Sequence, residues 1–137
     1  MTIHLEKVGK RFNYEWIFRE LNYEFTIGNV YAITGPNGSG KSTLLQIIAG
    51  NLSTSTGTIC YQNENEQKIL LENFFHHISI SAPYMELIEE FTLQEQIGFH
   101  KRFKNISNNY SEKEIINILK LESSTHKQIK YFSSGMK

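Results

Sequence analysis

The residues Gly35-Pro36-Asn37-Gly38-Ser39-Gly40-Lys41-Ser42-Thr43 have the types and the G-x-x-x-x-G-K-[ST] spacing that hold a nucleotide's phosphates. Gly35, Gly38 and Gly40 permit backbone turns that a side chain would obstruct, so main-chain N–H groups can approach phosphate oxygens. Lys41 is spaced to reach the β and γ phosphates as a point charge. The Ser42 hydroxyl is spaced to help hold the Mg²⁺ that bridges those phosphates, and Thr43 adds another donor. A nucleoside triphosphate with Mg²⁺ is therefore the expected ligand.

The remaining reactive side chains narrow the chemistry. All 14 acidic residues are Glu, and the chain contains no Asp. A phosphate-binding-loop NTPase ordinarily uses an Asp at the end of an apolar strand to hold the water shell of its Mg²⁺, and no residue here can be that group. Asp-based calcium loops and Asp-based guanine recognition are excluded on the same ground. Ile69-Leu70-Leu71-Glu72 imitates the apolar-then-acid pattern, but it is short and follows a polar stretch. The five histidines, His4, His76, His77, His100 and His126, have no metal-ligand spacing with one another or with Cys60. A lone Cys60 excludes an internal disulfide and reads as a strand residue in a reducing compartment.

A phosphate loop works only between a strand and a helix, and the flanking sequence supplies both patterns. Val30-Tyr31-Ala32-Ile33-Thr34 reads as a buried strand, and Lys41 to Ala49 reads as a helix with Leu44, Leu45, Ile47 and Ile48 apolar. The phosphates would then meet a helix N-terminus and its partial positive charge. Gly50-Asn51 stops that helix. Alternation predicts strands at Thr2 to Val8 and through Tyr23, Phe25 and Ile27, with Gly28-Asn29 as a tight turn into Val30. Gly57 to Tyr61 reads as a further short strand, Asn63 to Lys68 as an exposed turn, and Ile78-Ser79-Ile80 as strand-like. Beyond Pro83 the pattern turns helical. Thr92 with Glu95, and Ser111 with Glu114, are capping boxes opening two amphipathic helices, the second ending near Leu121.

At 137 residues the chain is one ordinary domain or part of a larger protein. Lys plus Arg equals Asp plus Glu at 14 each, so no charge excess argues for a nucleic-acid surface. The N-terminal MTIHLEKVGKRF has early charges and no apolar core, and no stretch approaches the ~18 apolar residues of a membrane span.

In this order and spacing the chain resembles the nucleotide-binding subunit of ABC transporters from end to end. Lys10-Arg11-Phe12 stands where that family commonly has an aromatic residue stacking on adenine, so the resemblance gives Phe12 that role; the alternative is that Phe12 packs in the β layer, where Trp16 is assigned to the core. The phosphate loop is the second shared feature, and the Gly57-Thr58-Ile59 strand start is the third. Phe132-Ser133-Ser134-Gly135-Met136 is similar to a variant of the family signature LSGGQ, which opens a helix facing ATP bound by the opposite subunit. On that likeness Ser133, Ser134 and Gly135 would contact the partner's ATP.

The resemblance implies an α/β fold of the P-loop NTPase, ABC ATPase type, with an N-terminal antiparallel β layer and a helical lobe, the C-terminal part of the core sheet missing. Residues 1–82 would form the β layer and the first part of the core, and residues 83–137 the lobe ending at the signature. It implies Mg-ATP as ligand, a head-to-tail second subunit and a transmembrane permease as partners, no nucleic acid, and a place on the cytoplasmic face of the membrane. It implies ATP hydrolysis by a full-length protein, whereas this chain, stopping at Lys137 without the family's Asp, catalytic Glu or switch His, is expected to bind only and to have no catalytic residue of its own. A soluble ABC-type ATPase would share every motif. A small P-loop kinase would need a lid richer in Arg than Arg11, Arg19 and Arg102 allow. One departure is plain: Ile80-Ser81-Ala82-Pro83-Tyr84 lacks the γ-phosphate-sensing Gln of the family, so the switch either works differently or relies on backbone and Glu86, while Gln94 and Gln96 read as helix-surface residues.

Overall fold

The computed structural model describes residues 1–81, 86–104, 106 and 109–136. The chain packs as two units, Met1–Ile80 and Ser81–Lys137. The boundary expected between residues 82 and 83 lies outside the described residues.

In the first unit, β1 (Thr2–Phe12) and β2 (Glu15–Thr26) form an antiparallel hairpin closed at Asn13-Tyr14, with Asn13 at φ 52°. β3 (Thr56–Gln62) pairs with the other edge of β1, and β4 (Lys68–Ile69) pairs with β3, giving the order β2-β1-β3-β4. Alternation puts Ile3 and Leu5 inward, Ile3 opposite Phe25 and Tyr61 and Leu5 opposite Tyr23 and Ile59. His4 faces the other way, with Nδ1 3.2 Å from a Glu24 carboxylate oxygen and Nε2 2.9 Å from Gln62 Oε1. Both hairpin strands outrun the stretches that simple alternation marks. Lys7 (φ 48°) and Glu20 (φ 53°) sit at register shifts, which break the two-residue period without ending the pairing. Gly57, the second residue of β3, takes φ 75°, and a Cβ there would run into the carbonyls of Glu6 and Lys7.

Helix α1 (Lys41–Ile48) contributes Ile47, 1% exposed, to a core with Ile3, Leu5, Val8, Tyr61, Ile69 and Phe74. Short α2 (Leu71–Phe74) delivers Phe74, whose ring stacks on Tyr61 with centroids 3.8 Å apart at 27°. Each such apolar side chain contributes about 1.5–3 kcal/mol of burial. Gly50 leaves α1 at φ 77°, and Asn51 N–H closes on Gln46 C=O at 2.9 Å, the left-handed stop that Gly50-Asn51 predicts.

Two predicted strands do not form. Val30 to Thr34 runs without strand pairing, and Val30 is 100% exposed. A central strand needs neighbours, and among the described residues every strand pair is antiparallel and none includes this stretch. Tyr31 instead turns back on β2. Its hydroxyl accepts from Thr26 N–H at 3.0 Å and Asn29 Nδ2 at 3.3 Å, and its ring meets Phe25 edge-on at 5.0 Å. Ile78 to Ile80 likewise is not a strand.

The second unit holds α3 (Leu93–Phe103) and α4 (Glu112–Leu119), each opened by the capping box read in the sequence. Thr92 N–H donates to Glu95 Oε2 at 2.8 Å while Glu95 N–H donates to Thr92 Oγ1 at 3.3 Å, and Ser111 with Glu114 repeats the pair at 2.8 and 3.3 Å. α4 ends at Leu119, where Lys120 takes φ 56°. Leu93, Ile97, Ile116, Ile129 and Phe132 form this unit's core.

Candidate nucleotide-binding site

Three glycines shape the loop, with Gly35, Gly38 and Gly40 at φ 149°, 81° and 88°. Gly40 is the N-cap of α1, and no side chain caps that helix. Its first amides therefore lie at the end of a helix dipole, as an anion site requires. Lys41 folds back along the loop, and its ammonium donates to the carbonyls of Gly35 at 2.9 Å and Pro36 at 2.8 Å. Ser39 N–H closes a turn on Pro36 C=O at 3.3 Å. Pro36, Asn37, Gly38, Ser39 and Ser42 are exposed, and Thr43 is half-buried.

The hairpin fixes this loop at a point the sequence reading missed. A Cβ on Gly40 would collide with Ile17 Cγ2 and would lie 3.4 Å from Phe18 Cδ1, so β2 packs directly on the turn into α1. Opposite that stretch, Lys10 pairs with Phe18 and Phe12 with Glu15. Phe12 thus sits within a few residues of the strand that supports the loop. It is 49% exposed, so it is not a core residue. The loop leaving α1 is tied to β1, the other strand of the hairpin: Ser55 N–H donates to Gly9 C=O at 2.8 Å, Arg11 N–H to Ser55 Oγ at 3.1 Å, and Lys10 Nζ to Ser53 C=O at 2.8 Å. Ile17 lies in a stretch where the bulge at Glu20 hides alternation, which is why the pattern did not mark it. Trp16, expected in the core, is half-buried between the guanidinium groups of Arg19 at 4.3 Å and Arg11 at 5.7 Å from its centroid.

The donor set for Mg²⁺ is small. Ser42 offers one hydroxyl, and among the described residues no cluster of three or more His, Cys, Asp or Glu is poised for a metal. That suits an ion bound chiefly by phosphates and water with one protein hydroxyl, which is how Mg²⁺ commonly sits on a triphosphate. It does not suit a cage made by the protein alone.

The family profile described as ABC transporter matches residues 18–137. The chain belongs to the ABC transporter family. A sulfate/thiosulfate import ATP-binding protein of Mesostigma viride is 29% identical over 100% of this chain and 40% of its own length. An energy-coupling factor transporter ATP-binding protein of Thermotoga maritima is 31% identical over 88% of this chain and 46% of its own. Nod factor export ATP-binding protein I of Rhizobium leguminosarum is 29% identical over 100% and 45%. The chain thus spans less than half the length of these ABC transporter relatives. A solved structure described as the ATP binding subunit of an ABC transporter superposes with a TM-score of 0.81 at 20% identity, over 99% of this chain and 57% of the other. A nucleotide-free ATP-binding cassette from an ABC transporter gives 0.64 at 21% identity, over 97% and 60%. The fold is that of the ABC ATPases.

The signature-like segment of this ABC transporter chain belongs to the second unit. Phe132 is buried among Leu93, Ile97, Ile116 and Ile129, and it anchors the turn that follows. Ser133, Ser134 and Gly135 are exposed, and a Cβ on Gly135 would meet open space. Where the resemblance implies a helix start, Met136 N–H closes a single turn on Ser133 C=O at 2.9 Å. Thr125 to Lys130 runs back along Glu89 to Gln94, with Ile129 N–H on Phe91 C=O at 2.8 Å and Lys130 N–H on Glu89 C=O at 3.1 Å. Those bonds carry Phe132 to its pocket. Of the segment lacking the sensing Gln, residues 82–85 lie outside the described residues, and Glu86 is exposed. Gln94 is exposed as read, but Gln96 is half-buried, with its Oε1 enclosed and without a hydrogen-bond partner among the described residues. No helix among the described residues is long and apolar enough to cross a membrane.

Proposed function

We propose that the chain holds Mg-ATP as part of the ATP-binding subunit of an ABC transporter. The loop carries the proposal: three positive-φ glycines lead into an uncapped helix, with a lysine already lying along the loop's own carbonyls. Gly35, Pro36, Asn37, Gly38, Ser39 and Gly40 wrap the phosphates with main-chain amides. Lys41 exchanges its two carbonyl bonds for β and γ oxygens, Ser42 contacts the metal, Thr43 adds a donor, and Phe12 stacks on adenine. When bound, Mg²⁺ neutralises charge on the phosphates. Ser133, Ser134 and Gly135 would reach ATP held by a second copy of such a subunit. Import and export relatives both match, which supports work beside a membrane permease on the cytoplasmic face. The hydrolysis step calls for an Asp to hold the Mg²⁺ water shell, and none occurs in these 137 residues.

Calorimetric titration of Mg-ATP into the chain, with Lys41→Ala as control, tests this reading. The wild-type chain binds, and the variant binds at least about tenfold more weakly, since hydrogen bonds to charged groups are worth about 1.5–3 kcal/mol each. Equal heats for the two would overturn it.

A further inference from the structure

Lys10 is the one charged side chain in the buried set, at 8% exposure, and no carboxylate lies within salt-bridge distance of it among the described residues. Its ammonium has two partners. One N–H goes to Ser53 C=O at 2.8 Å, in the loop leaving α1, and the charge sits over the Phe12 ring, 5.1 Å from the centroid. A buried cation without a counter-ion gains from each partially negative surface it touches, and an aromatic face is one. The pair is therefore mutually constraining: the ammonium keeps its π partner, and Phe12, although 49% exposed, has one face pinned from beneath.

We infer that Lys10 is a positioning residue for base recognition, holding one face of Phe12 so that its other face is presented as a rigid platform to the adenine ring. The inference rests on the stacking role proposed for Phe12 and adds its cause. A pinned ring loses little rotamer freedom when the base arrives, and that saving appears as affinity for the base and not for the phosphates. Through Ser53 the same ammonium ties the platform to the helix that starts at the phosphate loop, so base and phosphate contacts are held at a fixed spacing.

The test compares two probes on the intact protein, Mg-ATP and inorganic tripolyphosphate, which lacks the base. Lys10→Met keeps the stem and removes the charge. It is expected to weaken ATP about threefold to tenfold, in line with a partly desolvated cation–π contact, and to leave tripolyphosphate within about twofold. Lys10→Arg should recover most of the ATP affinity, and Lys10→Met should change the ratio of the two affinities no further once Phe12→Ala is present. Equal losses for both probes would make Lys10 a merely structural residue and overturn the inference, as would an unchanged ATP affinity. If Phe12→Ala itself leaves the ratio untouched, the adenine platform fails and Lys10 falls with it. If Phe12→Ala shifts the ratio and Lys10→Met does not, only the Lys10 inference fails.

Discussion

Gly40 shows how one residue can serve both the fold and the site. It takes φ 88° as the N-cap of α1, and its missing Cβ is the space into which Ile17 packs. Alanine there meets two separate penalties. A non-glycine residue held at such a φ costs about 1–3 kcal/mol, and the new methyl must displace Ile17 or the turn, which overpacking data put at a further ~1–3 kcal/mol. Gly40→Ala should therefore lower the melting temperature by several degrees and weaken Mg-ATP binding, because the same shift moves the first amides of α1. Gly38→Ala separates the terms, since a Cβ there meets nothing within 4 Å and only the φ of 81° opposes it. A smaller loss of melting temperature for Gly38→Ala than for Gly40→Ala is the expected order in a thermal melt. The reverse order would remove Ile17 from the support of the loop.

At the scale of elements, legibility in the sequence followed the range of the forces involved. Thr92 with Glu95 and Ser111 with Glu114 act within one helical turn, so their type and spacing suffice, and both capping boxes formed where read. The Lys41 to Ile48 helix and its Gly50 stop are local in the same sense. Val30 to Thr34 has the composition of a strand but depends on neighbours that its own residues cannot supply, and β2 hid behind a bulge at Glu20. Lys10 and Ile17 went unread because their partners, Ser53 and Gly40, are more than twenty residues away in sequence. The local boxes carry their own pH dependence. The backbone N–H and then the hydroxyl of Thr92, donating to Glu95, hold its carboxyl below the ordinary 4.5, and the Ser111 hydroxyl and N–H, aided by Lys101, do so for Glu114. A carboxylate depressed in the folded state contributes stability that is complete above its unfolded value and lost as pH falls through the lowered folded value. The helical unit should therefore weaken as pH drops below about 4.5. Glutamine keeps the box geometry without titrating, so in Glu95→Gln, Glu114→Gln the acid limb of melting temperature, followed by far-UV circular dichroism, should be shallower than in wild type. Parallel limbs would show that other carboxylates govern acid unfolding.

At the scale of the whole chain, what its sheet leaves uncovered decides its behaviour in solution. The first unit closes a core around Val8, Ile47 and Phe74, yet Val30 is 100% exposed, and Ile27, Leu45, Leu70, Leu71 and Phe75 are exposed as well. Single exposed apolar residues are ordinary. Val30 differs because it opens the stretch Val30 to Thr34, whose apolar side chains come with backbone groups that no strand pairs among the described residues. Unpaired strand-forming backbone beside apolar side chains is a template for joining another chain. The 137-residue chain made by itself should accordingly sediment as species larger than a monomer at micromolar concentration. Charges at exposed apolar positions should reverse this at little cost, since neither Val30 nor Leu45 is buried: Val30→Lys with Leu45→Lys is expected to raise the monomer fraction while leaving the melting temperature within a few degrees. A wild-type chain that sediments as a single monomer and melts in one sharp transition would show that the uncovered stretch is no liability. It would also mean that Tyr31, folded back on Thr26 and Phe25, is cover enough.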